Sequence, residues 1–450
     1  MRKLEAPEWK PSSFRRSSAV FDLPPRAPGG PNGSSGAAAP EPVALGMARL
    51  CWGQMVGRDG RVAGFRLEIA PESGAAPPPL AALLDGVVAA LSAEGSSSFP
   101  RGLVLLAPTG FAFDPAMADW SAPRNVLLEV EASVLDDERT MRTLFEARRQ
   151  GVRQALRVGD RLPARERLQF FQYLVGTGEK PPVASIPWVA LDACPAGSTA
   201  ARQAPGATYV VPRVLPPART GASEEFSAPQ RAIFRLVRLL RSDADLHLVE
   251  RVFESEPLLA YMLLTLANSA AFRRGSPTAS LRQAVMAIGY RRLVKWLVLI
   301  LAVSHKEARV APLVHRALVR GYCMEGLAHS LGWSGPERDE SFIVGAFTLL
   351  DGITGQTLDT LLEEVGLPAP VVEALLGGSG PYAPLLDSAR RFEASPGQPA
   401  SAAETGTEPL PPATGGRCAQ AEGATPFPAD ARNVALLAAL ASTDSIVALS

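Results

Sequence analysis

The chain has 450 residues, and its 45 basic and 45 acidic side chains give no net formal charge. This balance excludes the whole-chain positive field that is typical of nucleic-acid-binding proteins. A chain of this length predicts two or three folded units rather than one core. The four cysteines show no CxxC spacing and no pairing pattern, which favours a reducing compartment, the cytoplasm, over a disulfide framework.

Residues 1–44 are rich in Pro, Gly, Ser and Ala and contain no apolar run like that of a secretory signal. Such a composition cannot bury enough apolar surface to offset the entropy lost on ordering, so these residues are predicted to be a disordered leader. The same texture returns over 395–428. We therefore predict a low-complexity tail over 395–450, in which the Ala- and Leu-rich stretch 430–449 is suited to a terminal helix.

Residues 45–225 show apolar runs of strand length that alternate with windows of helical periodicity. The strand-like runs are RGLVLLAP, NVLLEVEA and IPWVALDA, and a helix-like window is PLAALLDGVVAALSAE. Strands that alternate with helices are typical of a parallel sheet, so this half is predicted to be an α/β domain.

Residues 226–394 lack the strand signal, and their apolar side chains recur at helical spacing. Ser280 and Gln283 form the pattern of a capping box, and Gly289 stands where that helix should end. The apolar run 293–303 contains Lys295 and is shorter than the roughly 20 residues that a bilayer span needs. This half is therefore predicted to be all-helical, and no membrane contact is expected.

Two segments of the helical half, EPLLAYMLLTLANSAAF and SLRQAVMAIGYRRLVKWLVL, carry a recognisable pattern that includes Asn268, Ser269, Gln283 and Gly289. In these residues the helical half resembles the HDOD family. Asn268 and Ser269 are expected to bond local backbone rather than a partner. The segments RGYCMEGLAHSLG and SFIVGAFTLLDGI continue in the order seen in proteins where an HDOD domain follows an EAL-type domain.

The first half opens with Ala48-Arg49 and then RVAGFRLEI, which is similar to the opening hairpin of EAL domains. The two halves in this order resemble the EAL–HDOD signalling architecture. The fold class that this implies is α/β plus all-α: a degenerate TIM-barrel-like EAL domain over 45–225, followed by an all-helical HDOD domain over 226–394.

The resemblance also implies positions at which EAL enzymes hold divalent cations to hydrolyse cyclic di-GMP. Arg66 stands where the motif glutamate belongs, and it would place a fixed positive charge at a metal position. Glu68 lies on the same face of the predicted strand, about 7 Å further along, too far to replace that ligand. Glu129 matches a metal-binding glutamate of the family.

Most of the other positions that the resemblance implies also lack the polar or charged side chain of the family. Ala107 stands at the position of an asparagine, and Ala190 at that of a lysine. Tyr173 and Leu174, which precede the short glycine motif Gly176-Thr177-Gly178, stand at the positions of a paired aspartate. Asp192 matches a family aspartate. Two remaining carboxylates cannot replace a four-ligand site, so the chain is predicted to be a pseudoenzyme with no catalytic residue, no metal and no cofactor.

The sequence thus favours a cytoplasmic bacterial signalling adaptor that acts through protein–protein contacts and is related to cyclic di-GMP signalling. Its partners are expected to be signalling proteins. Two alternatives stay open: a receptor that binds cyclic di-GMP without hydrolysis, with Arg66 pairing a phosphate, and a residual phosphodiesterase. Nucleic acid is not expected as a partner, because Arg291, Arg292 and Lys295 are typical of a solvated helix face.

Overall fold

The structure is a computed structural model that describes residues 43–72, 76–92, 99–159, 162–178, 181–192, 204–213, 215, 228–268, 278, 280–303, 310–365, 367–393 and 427–447. The predicted leader apart from its last two residues, most of the 395–428 stretch and the predicted junction near 220–227 lie outside the described residues.

The first half of the described chain forms a closed eight-stranded barrel in sequential strand order. Strand β1 runs antiparallel to both of its neighbours, β2 and β8, whereas β2 to β8 are parallel. This topology confirms the prediction that the first half is an α/β barrel. The strands are β1 Ala48–Gly57, β2 Val62–Pro71, β3 Leu103–Pro108, β4 Val126–Glu131, β5 Arg153–Arg157, β6 Tyr173–Thr177, β7 Trp188–Leu191 and β8 Tyr209–Val211.

Side chains alternate between the inside of the barrel and the layer beneath its helices, as the strand period of two requires. The inside is filled by apolar residues, among them Met55, Leu105, Leu127, Val175 and Val189. Gly64 lets β2 approach β3 closely, because a Cβ there would stand 1.9 Å from the carbonyl oxygen of Leu103. The barrel is therefore a packed core rather than a channel.

Short helices accompany the strands: α1 Val43–Gly46, α2 Leu80–Leu91, α3 Glu138–Arg149 and α4 Arg165–Leu168, with 3₁₀ turns at Pro115–Ala118 and Ala132–Asp136. Helix α3 begins where the Asp137 carboxylate accepts the amide hydrogen of Thr140, an N-cap bond. Its buried side chains, including Leu144 and Ala147, join the hydrophobic layer on the outside of the strands.

The second half is helical, as predicted. Its helices are α5 Ala228–Arg241, α6 Leu246–Ser255, α7 Pro257–Ala267, α8 Leu281–Ile288, α9 Tyr290–Val303, α10 Ala311–Ser330, α11 Gly335–Phe347, α12 Leu350–Thr354, α13 Leu358–Val365, α14 Ala369–Val372 and α15 Ala383–Arg391, with a π-helical turn at Glu373–Gly377. Helices α10 and α11 cross at two glycines, since a Cβ on Gly345 would stand 2.5 Å from the backbone nitrogen of Gly321.

Helix α16, Ala429–Val447, lies in the core of the folded chain. It packs along α10 and also contacts α1, α2 and β1. The buried Asn433 side chain donates to the carbonyl oxygens of Leu45 (2.7 Å) and Ala48 (2.6 Å). This helix, which the sequence placed in a low-complexity tail, therefore joins the barrel to the helical half.

Strands β1 and β8 meet over a short length. Their register pairs Val56 with Val210 and Gly57 with Tyr209. Beyond these pairs, the β1 amide of Trp52 donates to the carbonyl oxygen of Phe392, at the end of α15, over 2.7 Å. We call this part of the barrel the seam: the facing residues Cys51–Met55 of β1 and Val211–Arg213 after the β8 pairing. The helical half fills the seam.

No helix in the described ranges is long and apolar enough to cross a membrane.

Candidate functional site

The carboxyl ends of the parallel strands carry a cluster of charged side chains. We call this cluster the mouth and define it as Arg66 and Glu68 on β2, Glu129 on β4, Arg157 at the end of β5 and Asp192 just after β7. Barrels of parallel strands place their ligand and catalytic groups at this end. The sequence brought Arg66, Glu129 and Asp192 to attention, and the structure gathers them here.

Arg66 is the centre of the mouth. Its Nε donates to Oε2 of Glu129 and its Nη2 to Oε1 of the same carboxylate, each over 2.7 Å. Its Nη1 donates to Oε2 of Glu68 over 3.0 Å. Arg66 and Glu129 are 7% and 2% exposed, respectively. A parallel two-bond pair of this kind is among the strongest polar contacts that side chains make.

The electrostatics of the mouth follow from this pair. Burial alone would lower the pKa of Arg66, but the adjacent Glu129 carboxylate outweighs it and raises that pKa above its ordinary value. Burial, reinforced by the nearby Glu68, raises the pKa of the Cys51 thiol to about 12. The mouth therefore holds a permanent guanidinium between two carboxylates, next to a thiol that stays protonated.

Glu68, which the sequence predicted to stand too far along β2 to replace the ligand at position 66, contacts Arg66 instead. It reaches back to Arg66, because the long guanidinium spans the separation that a metal ion could not. Arg157, which the sequence reasoning missed, places Nη1 3.9 Å from Oε1 of Glu129. Its place at the carboxyl end of β5 was the signal that could have identified it.

The remaining predicted positions lie at opposite ends of the barrel. Ala107 is buried on β3 and faces Glu68 in the β2–β3 register, so it does lie at the mouth. Tyr173 and Leu174 start β6 at the opposite, amino end of the barrel. The Tyr173 ring lies 6.0 Å from that of Tyr209, the first residue of β8.

The structure therefore does not bring Tyr173 and Leu174 to the mouth, because the amino end of a parallel strand lies across the barrel from its carboxyl end. Leu174 and Ala190 also belong to the hydrophobic layer outside the strands, since they alternate with the inward-facing Val175 and Val189. The short glycine motif on which their alignment rested is part of β6 itself, with Gly176 and Thr177 paired to Ala190 and Leu191.

The helical half covers the mouth. A cavity of about 50 Å³ remains between them, lined by Cys51, Arg66 and Glu68 from the barrel and by Arg316 and Glu393 from the helical half, among others. Arg316 of α10 donates from Nη2 to the carbonyl oxygen of Pro212 over 3.2 Å and from Nη1 to that of Arg213 over 3.4 Å. The helical half thus covers the buried Arg66 side of the mouth, whereas Asp192 and Arg157 remain accessible.

A larger cavity of about 750 Å³ lies beside the mouth, between the loops that follow β4 and β5. Arg157 and Arg167 line it together with Glu131 and Asp136. The Arg157 side chain is 37% exposed, whereas Arg167 bonds the carbonyl oxygen of Leu135 and the Asp136 carboxylate. The volume of this cavity lies in the range of small-molecule sites.

The residues that carry the HDOD resemblance have a structural role where they are described. The Asn268 amide donates to the carbonyl oxygen of Thr278 and accepts from its amide nitrogen, both over 2.8 Å. Gln283 accepts from the Thr278 hydroxyl over 2.7 Å, and Gly289 ends α8 with φ of 81°. These bonds fix the start of α8 against the end of α7. Ser269 lies outside the described residues.

The basic run of α9 is paired with carboxylates. Arg291 bonds Asp339 over 2.6 Å, and Lys295 bonds Glu325 over 2.5 Å. The Lys295 nitrogen also lies 4.5 Å from the centre of the Phe342 ring, a cation–π distance. These side chains hold α9 to α10 and α11. Among the described residues, no group of three His, Cys, Asp or Glu side chains is arranged to hold a metal ion.

Comparison with known proteins identifies the helical half. Residues 228–350 match the family model of the HDOD domain, which confirms the prediction for that segment. A Vibrio cholerae serotype O1 protein named cyclic di-GMP phosphodiesterase CdgJ is 26% identical over 172 residues, 38% of this chain and 40% of that protein. The uncharacterized protein YuxH of Bacillus subtilis is 24% identical over 166 residues, 36% of this chain and 39% of that protein.

The chain thus matches about two fifths of the length of each of these relatives. No solved structure matches it significantly. The fold and the comparisons together describe a chain that combines an eight-stranded barrel with a helical segment matching the HDOD domain.

Proposed function

We propose that this chain is a non-catalytic adaptor in signalling related to cyclic di-GMP, and that it acts by binding protein partners. The observation that carries the proposal is the two-bond pair between Arg66 and Glu129. Hydrolysis of a phosphodiester assisted by Mg²⁺ needs free oxygen ligands at the mouth. Here the Glu129 and Glu68 oxygens already bond a guanidinium, so this donor set does not fit a divalent cation.

The position of Arg157 supports the same proposal. At the carboxyl end of β5 it adds a second guanidinium within 3.9 Å of Glu129. Two arginines would then repel a metal ion, which is also positively charged. The Glu129 carboxylate, which could attract the ion, already lies beside both arginines. The HDOD match and the distant relationship to a cyclic di-GMP phosphodiesterase connect the chain to signalling rather than to metabolism.

The direct test is an assay of cyclic di-GMP hydrolysis by the purified chain with Mg²⁺ or Mn²⁺, with the Glu129→Ala variant as the blank. We expect no linear dinucleotide above the blank. We also expect none from Arg66→Glu, because Arg157 would still stand beside Glu129 and the missing aspartate pair would still leave a divalent cation underliganded. Turnover by the wild type above Glu129→Ala would refute the proposal.

A second candidate function is binding of cyclic di-GMP without hydrolysis. Arg66 cannot supply the phosphate contact expected from the sequence, because its guanidinium is bonded to Glu129 and Glu68. The partly exposed Arg157 at the 750 Å³ cavity favours that role instead, since a guanidinium matches phosphate geometry.

Isothermal titration with cyclic di-GMP tests the receptor function. If the chain binds, Arg157→Gln should weaken the affinity at least tenfold, whereas Arg142→Gln, which alters an exposed pair on α3, should not. Absence of heat at millimolar ligand would remove this candidate and leave the adaptor proposal standing.

A further inference from the structure

The seam of the barrel is completed by the helical half rather than by strand pairing. The Trp52 amide donates to the carbonyl oxygen of Phe392, and the Arg316 guanidinium bonds the carbonyl oxygens that follow β8. An open strand edge presents unpaired backbone groups, so these bonds replace the strand pairing that β1 and β8 do not make beyond Val56 and Val210.

One carboxylate holds this contact in place. Glu393 accepts from Arg320 Nε over 2.5 Å and from Arg320 Nη2 over 2.7 Å, and it lies 3.7 Å from Nε of Arg316. All three side chains are 6% exposed or less. Arg320 also donates to the Thr348 hydroxyl over 2.9 Å. Removal of the Glu393 charge would take this carboxylate away from two buried guanidinium groups, which is strongly unfavourable.

The space behind this contact is small. The cavity between the mouth and the helical half has about 50 Å³, room for one or two water molecules at about 30 Å³ each. Cys51 lines that cavity and is 6% exposed. Trp52, the next residue of β1, packs its ring 5.7 Å from that of His315 on α10. Wider access to the buried Cys51 and Arg66 therefore requires the helical half to move away from the seam.

We propose that Arg316, Arg320 and Glu393 form a latch that keeps the helical half seated in the seam, and that opening the latch exposes the buried Arg66 of the mouth and the neighbouring Cys51. The latch is autoinhibitory toward the mouth and independent of whether the mouth hydrolyses or binds any dinucleotide. Because coupling between sites is reciprocal, a partner that pulls on α10 or α15 opens the mouth. Equally, a ligand that occupies the mouth loosens the helical half.

The test is the rate at which N-ethylmaleimide alkylates Cys51 in the full chain, followed by mass spectrometry of the Cys51 peptide. Glu393→Gln keeps the size of the side chain and removes the charge, and we expect Cys51 to react at least tenfold faster. The matched control is Glu138→Gln, which removes the charge of a pair that is 80% and 91% exposed and should leave the rate unchanged.

A second variant separates opening of the latch from general unfolding. Arg316→Lys keeps the charge but shortens the side chain and removes the planar fork that bonds both carbonyl oxygens after β8, so it should also speed alkylation of Cys51. Hydrogen exchange of α3, on the far strands of the barrel, reports unfolding and should stay at the wild-type rate in Arg316→Lys. The proposal is overturned if Glu393→Gln labels Cys51 at the wild-type rate. It is also overturned if Glu393→Gln speeds Cys51 labelling and α3 exchange by the same factor while Arg316→Lys labels like the wild type.

Discussion

Replacement of Arg66 by methionine tests the structure of the mouth most directly. The change keeps an unbranched side chain and removes three hydrogen bonds, two to Glu129 and one to Glu68. Among the described residues, it leaves the Glu129 carboxylate, which is 2% exposed, with Arg157 at 3.9 Å as its remaining ion-pair partner. Breaking a buried ion pair by removing one partner costs about 3–5 kcal/mol.

The cost of neutralising a buried carboxylate gives the same magnitude for this loss of stability. A buried carboxyl group without a partner escapes its penalty by becoming neutral, and an ordinary glutamic acid titrates near pH 4.3. Neutralising one at pH 7 therefore costs about 4 kcal/mol, and at pH 5 about 1 kcal/mol. We expect Arg66→Met to lower the free energy of unfolding by about 4 kcal/mol at pH 7 and by clearly less at pH 5.

The assay is urea-induced unfolding followed by circular dichroism at the two pH values. The double variant Arg66→Met with Glu129→Leu removes both charges of the main pair and should recover at least half of the loss, since apolar residues often replace a buried ion pair well. Arg142→Met, in an exposed pair, should change stability by less than about 1 kcal/mol. If Arg66→Met costs no more than Arg142→Met at pH 7, the buried pair does not exist.

Three further predictions concern other contacts. Burial, with Arg316 nearby, lowers the pKa of His315 to about 3, so this histidine stays neutral in the fold while an unfolded one takes up a proton below about pH 6.5. Its contribution to stability is full above pH 6.5 and falls by about 1.4 kcal/mol per pH unit toward pH 3; His315→Phe should flatten the measured slope and the exposed His247→Gln should not. Asn433→Ala leaves two buried carbonyl oxygens without a donor and should cost about 1–3 kcal/mol in urea unfolding; no loss would contradict the placement of α16. Asn268→Ala frees Thr278 and should speed hydrogen exchange at the start of α8 while exchange in α3 stays unchanged.

Local patterns made much of the fold predictable. Alternating apolar runs indicated the barrel strands, and helical periodicity with Ser280 and Gly289 indicated α8 and its ends, because these signals depend on neighbours a few residues apart. The structure has Ser280 as the N-cap of α8 and Gly289 at its C-terminal end.

The contacts at the mouth could not be predicted from such local patterns. Arg66 and Glu129 are 63 positions apart, and only the register of the strands shows that their side chains meet. Tyr173 and Leu174 were misplaced because a short glycine motif was aligned without knowing which end of a strand it occupied. Arg157 went unnoticed for the same reason, and the pairing of Arg316 with carbonyl oxygens more than 100 positions away has no local signal.

The position of α16 has a consequence for how the chain is made. Asn433 bonds the carbonyl oxygen of Leu45 across 388 positions of sequence. Helix α1 and strand β1 therefore cannot complete their contacts until α16 has been synthesised. Contacts between distant segments form late, and the surfaces they will cover stay exposed until then. During synthesis, the flank of β1 and the long face of α10 are therefore open to chaperones until α16 packs over both.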